Sequence, residues 1–242
     1  MPLLSGVLSF IVPAYNEEFE LPRTLEAIRS AAKDRPHEII VADDASTDRT
    51  SAVARDGGAK LVSINRRQIA AARNAGARSA AGDVLFFVDA DTRINRAQVT
   101  GALTALEAGY SGGSSRVNVE GEIPTWSRIG LKAFCAFYFR LRLGAGAFLF
   151  TTKKNFEAVG GFDESLFIGE EVYFSLALRK LGRFRILDEP VITSGRKLRI
   201  YSAREILVHS FRVLLRGPSV ARSRSGLNIW YDGRRETRSN PT

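Results

Sequence analysis

Two carboxylates one residue apart, Asp89 and Asp91, come directly after the apolar run Val84–Val88. The run is too short for a helix, and its β-branched and aromatic residues predict a buried strand. Side chains at the carboxyl end of such a strand face the crevice in which open α/β sheets bind ligands. Their oxygens suit Mg²⁺ or Mn²⁺, which would keep coordination positions for phosphate oxygens. The alternative is an Asp-rich turn that caps the following helix.

Polar side chains also follow two other predicted strands. Tyr15 and Glu17 come after the first strand, and Asp43 and Asp44 close the second. In a parallel sheet these ends share one edge and can surround a single ligand. A nucleoside diphosphate bridged by a metal ion would fit there, with Asp43 accepting a hydrogen bond from the base. The chain has neither a Gly-x-Gly-x-x-Gly fingerprint after the first strand nor a P-loop, so neither of these holds the phosphates.

Strands and helices alternate up to Asp91. The predicted strands there are at 7–13, where Pro13 stops the strand, and at 38–43, 60–64 and 84–88. The first predicted helix has Leu21, Leu25, Ile28 and Ala32 on one face. A short helix capped by Ser46 or Thr47 and ended by Gly57-Gly58 follows the second strand, and a helix at 68–81 follows the third. This order predicts an α/β fold, a mostly parallel doubly wound central sheet with helices on both faces.

After Asp91 the alternation is less regular. We predict helices at 95–108, 124–143 and 170–181, and strands at 112–119 and 148–152. The simplest organisation is a single domain over 1–217, followed by a basic, flexible tail over 218–242.

Composition narrows the classes of function. The chain of 242 residues has a net charge of +9, and the excess of Lys and Arg falls after Arg179. A basic surface attracts nucleic acid, anionic lipid or a phosphorylated small molecule, although a solvated face is the alternative for any single Arg. Nucleic-acid binding would not explain three acidic strand ends, so we expect no nucleic-acid partner. The single cysteine, Cys135, excludes an internal disulfide and indicates a reducing, cytoplasmic location. We find neither a signal peptide nor a membrane span.

Six motifs together give the chain a family resemblance. They are Phe-Ile-Val-Pro-Ala-Tyr-Asn-Glu-Glu at 10–18, Val-Ala-Asp-Asp-Ala-Ser-Thr-Asp at 41–48, Ala-Arg-Asn-Ala-Gly at 72–76, Asp-Ala-Asp at 89–91, Gly-Gly-Phe-Asp-Glu at 160–164 and Gly-Glu-Glu-Val-Tyr-Phe-Ser-Leu-Ala-Leu-Arg at 169–179. In this order the chain resembles the family 2 glycosyltransferases of GT-A fold over roughly residues 7–195.

The resemblance implies transfer of a sugar from a nucleotide-sugar donor, a UDP-sugar in first place, with Mg²⁺ or Mn²⁺ on the diphosphate. It places the nucleotide-sugar half at about 1–95 and the acceptor half at about 96–217. Asp91, with Asp89 assisting, would hold the metal, and Arg73 would approach the diphosphate unless it is only a surface helix charge. The residues implied at the nucleoside are Pro13, Ala14, Tyr15, Glu17 and, for the base, Asp43.

In inverting members of the family a carboxylate of a Glu-Asp pair removes the acceptor proton. Here the pair is Glu170-Glu171, which departs from the commoner second Asp and leaves open which acid is the base. The alternative is that both acids only favour the helix N-terminus. His209 resembles the C-terminal histidine that some GT-A enzymes use as a further metal ligand, although a packed or surface histidine is the default.

The acceptor is not identified by the sequence. Basic and apolar residues alternate around 211–216, and an Arg-bearing aromatic segment runs from Trp126 to Arg142, which together suit a membrane surface. We therefore expect a lipid-linked or membrane-proximal acceptor and a peripheral position on the inner face of a membrane. Two alternatives are a nucleotide-sugar-binding relative with little or no transferase activity and a nucleotidyltransferase. The latter should carry a Gly-rich basic loop that residues 14–18 lack.

Overall fold

The computed structural model describes residues 6–120, 143–196 and 222. Within them the strands are β1 (Leu8–Ala14), β2 (His37–Asp44), β3 (Lys60–Ile64), β4 (Val84–Val88), β5 (Thr92–Arg93), β6 (Gly112–Glu120), β7 (Phe148–Thr152) and β8 (Phe184–Ser194). The helices are α1 (Leu21–Ala32), α2 (Thr50–Asp56), α3 (Ile69–Arg78), α4 (Arg96–Glu107), α5 (Lys153–Ala158) and α6 (Glu170–Leu181).

The strands of the described residues form one sheet in the order β3-β2-β1-β4-β7-β6-β8-β5. The first four run parallel, as predicted. β7 then inserts antiparallel between β4 and β6, β8 runs parallel to β6, and β5 is antiparallel to β8. The α/β class is confirmed, but the sheet is mixed, because the parallel arrangement continues only through the half that precedes Asp91.

Two hydrophobic clusters cover the two faces of the sheet, as the alternation of side chains along a strand requires. In β4, Phe86 packs with α1 and α4 on one face, whereas Phe87 packs with α3, α5 and α6 on the other. Both phenylalanines are fully buried. Full burial of each stabilises the fold by roughly 1.5–3 kcal/mol, so the strand that carries Asp89 at its end is firmly held.

Three predicted boundaries were wrong. β1 continues through Pro13 to Ala14, because β4 pairs with β1 only as far as Ile11 and the missing N–H of Pro13 costs no hydrogen bond there. Helix α2 begins at Thr50, since Ser46 and Thr47 bond to Asn16 in the loop after β1 instead of capping the helix. The helix predicted at 68–81 is α3, which ends at Arg78.

Strand β8 was not predicted, although it places part of the site. Opposite Arg116 of β6, the register jumps from Leu187 to Val191, so Asp188, Glu189 and Pro190 form an irregular bulge. Because the two acids and the proline interrupt the strand, its alternation of apolar and polar residues is not recognisable in the sequence.

The predicted helix at 124–143 falls almost entirely outside the described residues, as does the tail at 218–242 apart from residue 222. In the part of the chain that the structure does describe, no helix combines the length and apolar character needed to cross a bilayer.

Candidate active site

The polar strand ends lie along one edge of the sheet. β2, β1 and β4 are parallel neighbours, so Asp43, Glu17 and Asp89 follow the same ends of adjacent strands. Asp91 comes two residues later, directly before β5. There Thr92 pairs with Thr193 of β8, which brings the end of β8 beside Asp91.

The loops after β1 and β2 are joined into one rim. The backbone N–H of Asn16 donates to the Ser46 hydroxyl at 2.9 Å, and the N–H of Thr47 donates to the Asn16 side-chain oxygen at 2.8 Å. The N–H of Glu17 donates to the Thr50 hydroxyl at 2.7 Å. These bonds fix the loop that carries Tyr15 and Glu17 against the loop that follows Asp43.

The two acids that end β2 have different surroundings. Asp43 accepts one bond at each oxygen, from the Ser46 N–H at 3.1 Å and from the Ser51 hydroxyl. A carboxylate has about four acceptor positions, so Asp43 retains capacity for a base N–H. Asp44 instead holds the loop before α3, accepting from the backbone N–H groups of Arg66 (2.7 Å), Arg67 (2.8 Å) and Gln68 (2.6 Å).

Three non-glycine residues in the described part of the chain have positive φ, and each follows a strand of this edge. They are Asn16 at 52°, Ala45 at 59° and Arg67 at 50°. Such conformations are costly and cluster at functional sites. The guanidinium carbon of Arg67 lies 3.5 Å from the ring centroid of Tyr15, a cation–π contact on the side of the rim where the base is expected.

Arg73 is buried beneath Asp89 and is not a surface helix charge. Its side chain is 1% exposed and donates to Asp89 Oδ1 at 2.9 Å, to Glu170 Oε1 at 2.7 Å and to the Gly146 carbonyl at 3.0 Å. Burial alone would lower the pKa of Arg73, but the charges of Asp89, Glu170 and Glu171 raise it instead. Arg73 therefore ties the end of β4 to the first turn of α6.

Asn74, next to Arg73 on α3, binds the motif at 160–164, which precedes α6. Its side chain accepts from the N–H of Phe162 and donates to the Phe162 carbonyl, both at 2.9 Å, and donates to Glu164 at 2.9 Å. A Cβ on Gly161 would lie 2.7 Å from the Asn74 oxygen. The motifs at 72–76 and 160–164 are thus two sides of one contact that positions the turn before α6.

The pair Glu170-Glu171 opens α6 after Gly169, which has a left-handed φ of 75°. Glu170 is buried and bound by Arg73, whereas Glu171 is only half-buried. Desolvation and the adjacent charge of Glu170 raise the pKa of Glu171 to about 8. A carboxylate with this pKa is a stronger base than an ordinary glutamate, and it is available to accept a proton as the pH approaches about 8.

Arg196, just beyond β8, binds the other two acids of the site. It donates to Glu17 through both guanidinium nitrogens, Nη1 at 2.6 Å from Oε2, and its Nη2 lies 3.1 Å from Asp91 Oδ2. Burial would lower the pKa of Arg196, but the bond to Glu17 and the charge of Asp91 raise it. The Thr193 hydroxyl also donates to Asp91 Oδ1, at 3.3 Å.

A divalent ion fits the donor set of Asp89 and Asp91 only with help from a substrate. Within residues 6–120 and 143–196, no three His, Cys, Asp or Glu side chains form a group that could hold a metal. Mg²⁺ commonly binds through one or two carboxylates plus substrate phosphates and water. The two acids suit that kind of ion, and a closed all-protein site is not present in the described part. His209 and the segment from Trp126 to Arg142 lie outside the described residues.

Sequence reasoning missed two arginines of this edge. Arg67 gave no signal beyond its place in the loop before α3. Arg196 could have been noticed only by recognising β8, because a basic residue then follows a strand end beside Gly195.

Comparison with known proteins gives matches in one class. The family model described as Glycosyl transferase family 2 matches residues 9–160. A 4,4'-diaponeurosporenoate glycosyltransferase from Staphylococcus haemolyticus is 34% identical over 111 residues, 43% of this chain and 28% of the relative. An undecaprenyl-phosphate 4-deoxy-4-formamido-L-arabinose transferase from Pseudomonas aeruginosa is 30% identical over 136 residues, 52% of this chain and 40% of the relative. The matched part spans well under half of either relative.

Solved structures agree on the fold. The mannosyltransferase PcManGT from Pyrobaculum calidifontis, in complex with GDP-Man and Mn²⁺, aligns with a TM-score of 0.63 at 22% identity, covering 89% of this chain and 66% of that one. The glucosyl-3-phosphoglycerate synthase from Mycobacterium tuberculosis, with Mn²⁺, UDP and phosphoglyceric acid, aligns with a TM-score of 0.61 at 19% identity, covering 84% and 76%.

Proposed function

The chain belongs to glycosyl transferase family 2, and on that premise we propose that it transfers a sugar, with inversion, from a nucleotide diphosphate sugar to a lipid-linked acceptor. UDP-sugars are the favoured donors, and Mg²⁺ or Mn²⁺ is the proposed cofactor. The observation that carries the proposal is the single sheet edge that collects Asp43, Asp89, Asp91 and the pair at the start of α6.

The donor's nucleoside is proposed to bind at the rim after β1 and β2. Pro13, Ala14 and Tyr15 would line it, and Asp43 would accept from the base. The diphosphate would then reach Asp89 and Asp91, where a divalent ion would neutralise the charge that develops on the leaving group. Solved structures of the fold in complex with GDP-Man and Mn²⁺, and with UDP and Mn²⁺, support this choice of ligands.

We propose for Arg73 a different role from the one that the resemblance implies. It is enclosed by Asp89, Glu170 and the Gly146 carbonyl, so its charge is already neutralised within the protein. We assign Arg73 as a positioning residue that fixes the distance between the donor-binding acids and the acid pair of α6.

Glu171 is the proposed general base. The acceptor hydroxyl oxygen attacks the anomeric carbon from the face opposite the diphosphate. The new C–O bond forms while the bond from that carbon to the diphosphate oxygen breaks, and the diphosphate leaves with the electron pair. Glu171 takes the hydroxyl proton, a task suited to its pKa of about 8. Glu170, held by Arg73, orients the first turn of α6.

The acceptor proposal rests on relatives and on charge. One curated relative is named for transfer to undecaprenyl phosphate, and the +9 chain carries its basic excess late. A basic protein is attracted to anionic lipid by about 1 kcal/mol per Lys or Arg near the surface. We propose a peripheral position on the cytoplasmic face of a membrane.

A panel of UDP-, GDP- and dTDP-sugars, incubated with Mn²⁺ and lipid-linked acceptors that carry a free hydroxyl, with a polyprenyl phosphate in parallel, tests the proposal. Release of nucleoside diphosphate with one donor, together with an inverted anomeric centre by NMR, is expected. Asp91→Asn should abolish the release. Formation of a nucleotide sugar and pyrophosphate from a nucleoside triphosphate and a sugar 1-phosphate, with no turnover of the donor panel, would identify a nucleotidyltransferase instead. Donor binding with no turnover in either reaction would identify a non-catalytic binding protein.

A further inference from the structure

Arg196 contacts two acids of the proposed donor site, Glu17 and Asp91. The side chains of Glu17 and Asp91 are 7% and 14% exposed, and Arg196 itself is 11% exposed. Two carboxylates removed from water this far are costly unless a cation compensates them. Arg196 supplies that cation from a backbone held by the Ser194 N–H, which donates to the Asp91 carbonyl at 3.2 Å.

The two arginines of the site are not equivalent. Arg73 is enclosed by Asp89, Glu170 and a carbonyl, and a Cβ on Gly146 would lie 2.9 Å from its Nη2. Among the described residues, the Arg196 side chain is held by the carboxylates of Glu17 and Asp91, and it follows the last strand of that part of the chain. Its hold on Asp91 is one contact at 3.1 Å, longer than the 2.6 Å bond to Glu17. Arg196 can therefore release Asp91 while Glu17 still anchors it.

We propose that Arg196 is the resident counter-cation of the donor site, which competes with a divalent ion for Asp91 and binds the donor's diphosphate. This assignment rests on the proposed function. Without donor, the guanidinium offsets one of the two negative charges of Glu17 and Asp91, so a metal ion alone meets a positive charge already in contact with Asp91. When a diphosphate is present, its negative charge attracts both the metal ion and Arg196. The metal ion and the nucleotide therefore bind together.

Removing the charge of Arg196 should change two affinities in opposite directions. In Arg196→Gln, Mn²⁺ alone should bind more tightly, by about tenfold or more, because a like charge about 4 Å away is gone. UDP or GDP in saturating Mn²⁺ should bind about tenfold more weakly, because the diphosphate loses a charge-assisted contact. A purely structural tie between β8 and the β1 loop would not produce this opposite pair.

Calorimetric titration of the full chain with Mn²⁺, and then with UDP or GDP in Mn²⁺, measures both affinities. Arg116→Gln is the matched control, since Arg116 is an exposed arginine paired with Asp188 away from the site. It removes the same charge and should change neither affinity. Arg196→Lys keeps the charge and should stay close to the wild type for Mn²⁺ alone, which covers the case in which Arg196→Gln folds poorly.

Unchanged Mn²⁺ affinity in a folded Arg196→Gln protein, or a loss of Mn²⁺ affinity, would overturn the assignment. Failure of the proposed function gives a different result: the wild-type protein would bind no nucleoside diphosphate with Mn²⁺, whatever Arg196→Gln does to Mn²⁺ alone.

Discussion

Replacing Arg73 by methionine tests the positioning role assigned to the buried guanidinium. Methionine keeps most of the aliphatic volume but removes the charge and the three hydrogen bonds to Asp89, Glu170 and the Gly146 carbonyl. Asp89 and Glu170 would then face each other without their shared cation, because Arg73 lies 2.9 Å and 2.7 Å from their respective oxygens. Breaking a buried ion pair by removing one partner costs about 3–5 kcal/mol. For a chain of this size that loss lowers Tm by about 6 to about 20 °C.

Equilibrium unfolding in urea, monitored by circular dichroism, measures the loss. Arg78→Met is the matched control on the same helix, because Arg78 is 66% exposed and lies 3.8 Å from Glu164. An exposed pair of this kind contributes about 0–1 kcal/mol.

The double variant Arg73→Met with Glu170→Gln should recover part of the lost stability, since it removes one of the two uncompensated charges. A loss below about 1 kcal/mol in Arg73→Met, equal to that of Arg78→Met, would refute the reasoning. It would mean that Arg73 is not the tie between β4 and α6.

Four further predictions concern the site and its surroundings. Glu171→Gln should lower turnover by about 10²-fold or more, with donor affinity unchanged. Wild-type turnover should rise with pH to a plateau above the pKa of about 8, and the variant should lack this rise. A wild-type rate that does not depend on pH would count against Glu171 as the base. Because that pKa is raised in the folded state, the contribution of Glu171 to stability is fully present below the ordinary value of 4.5 and is lost as pH rises to about 8, so Glu171→Gln should lose less stability than the wild type between about pH 5 and about pH 8. Asp43→Asn should weaken UDP binding or shift the preference among UDP, GDP and CDP, and identical affinities across the series would argue that Asp43 does not contact the base. The full chain should co-sediment with anionic but not neutral vesicles at low salt, more strongly than a chain ending at Gly217, and no binding to anionic vesicles would favour a soluble acceptor.

The first half of the fold was predictable because its signals are local. β4 is a short apolar run between Gly82 and Asp89, and its alternating side chains cover both faces of the sheet, so a five-residue pattern was enough. Helix α4 begins after Asn95, which caps it together with Gln98 in a reciprocal pair of bonds. Such features depend on neighbours in sequence.

The missed features depend on distant residues. β8 is recognisable only beside β6, because a bulge at Asp188–Pro190 breaks its alternation. Whether Arg73 approaches a ligand or is enclosed by protein depends on Glu170, 97 residues away along the chain. The contact of Arg196 with Glu17 spans 179 residues. The acids Asp43, Asp89 and Asp91 were visible as strand ends, and Arg73 was visible through its motif. The partners of Arg73 were not, and Arg196 was missed, since an arginine in a helix or loop carries no local mark of its partner.

The central claim is that Asp89 and Asp91 form a donor site that a divalent ion completes. Calorimetric affinity of the wild-type protein for UDP and GDP, measured with Mn²⁺ and again with EDTA, tests it most directly, with Asp91→Asn measured in parallel. The account predicts tight binding of at least one of the two nucleotides in Mn²⁺, and a large loss in EDTA that Asp91→Asn reproduces in Mn²⁺. Equal affinity with Mn²⁺ and with EDTA, or full affinity in Asp91→Asn, would contradict it.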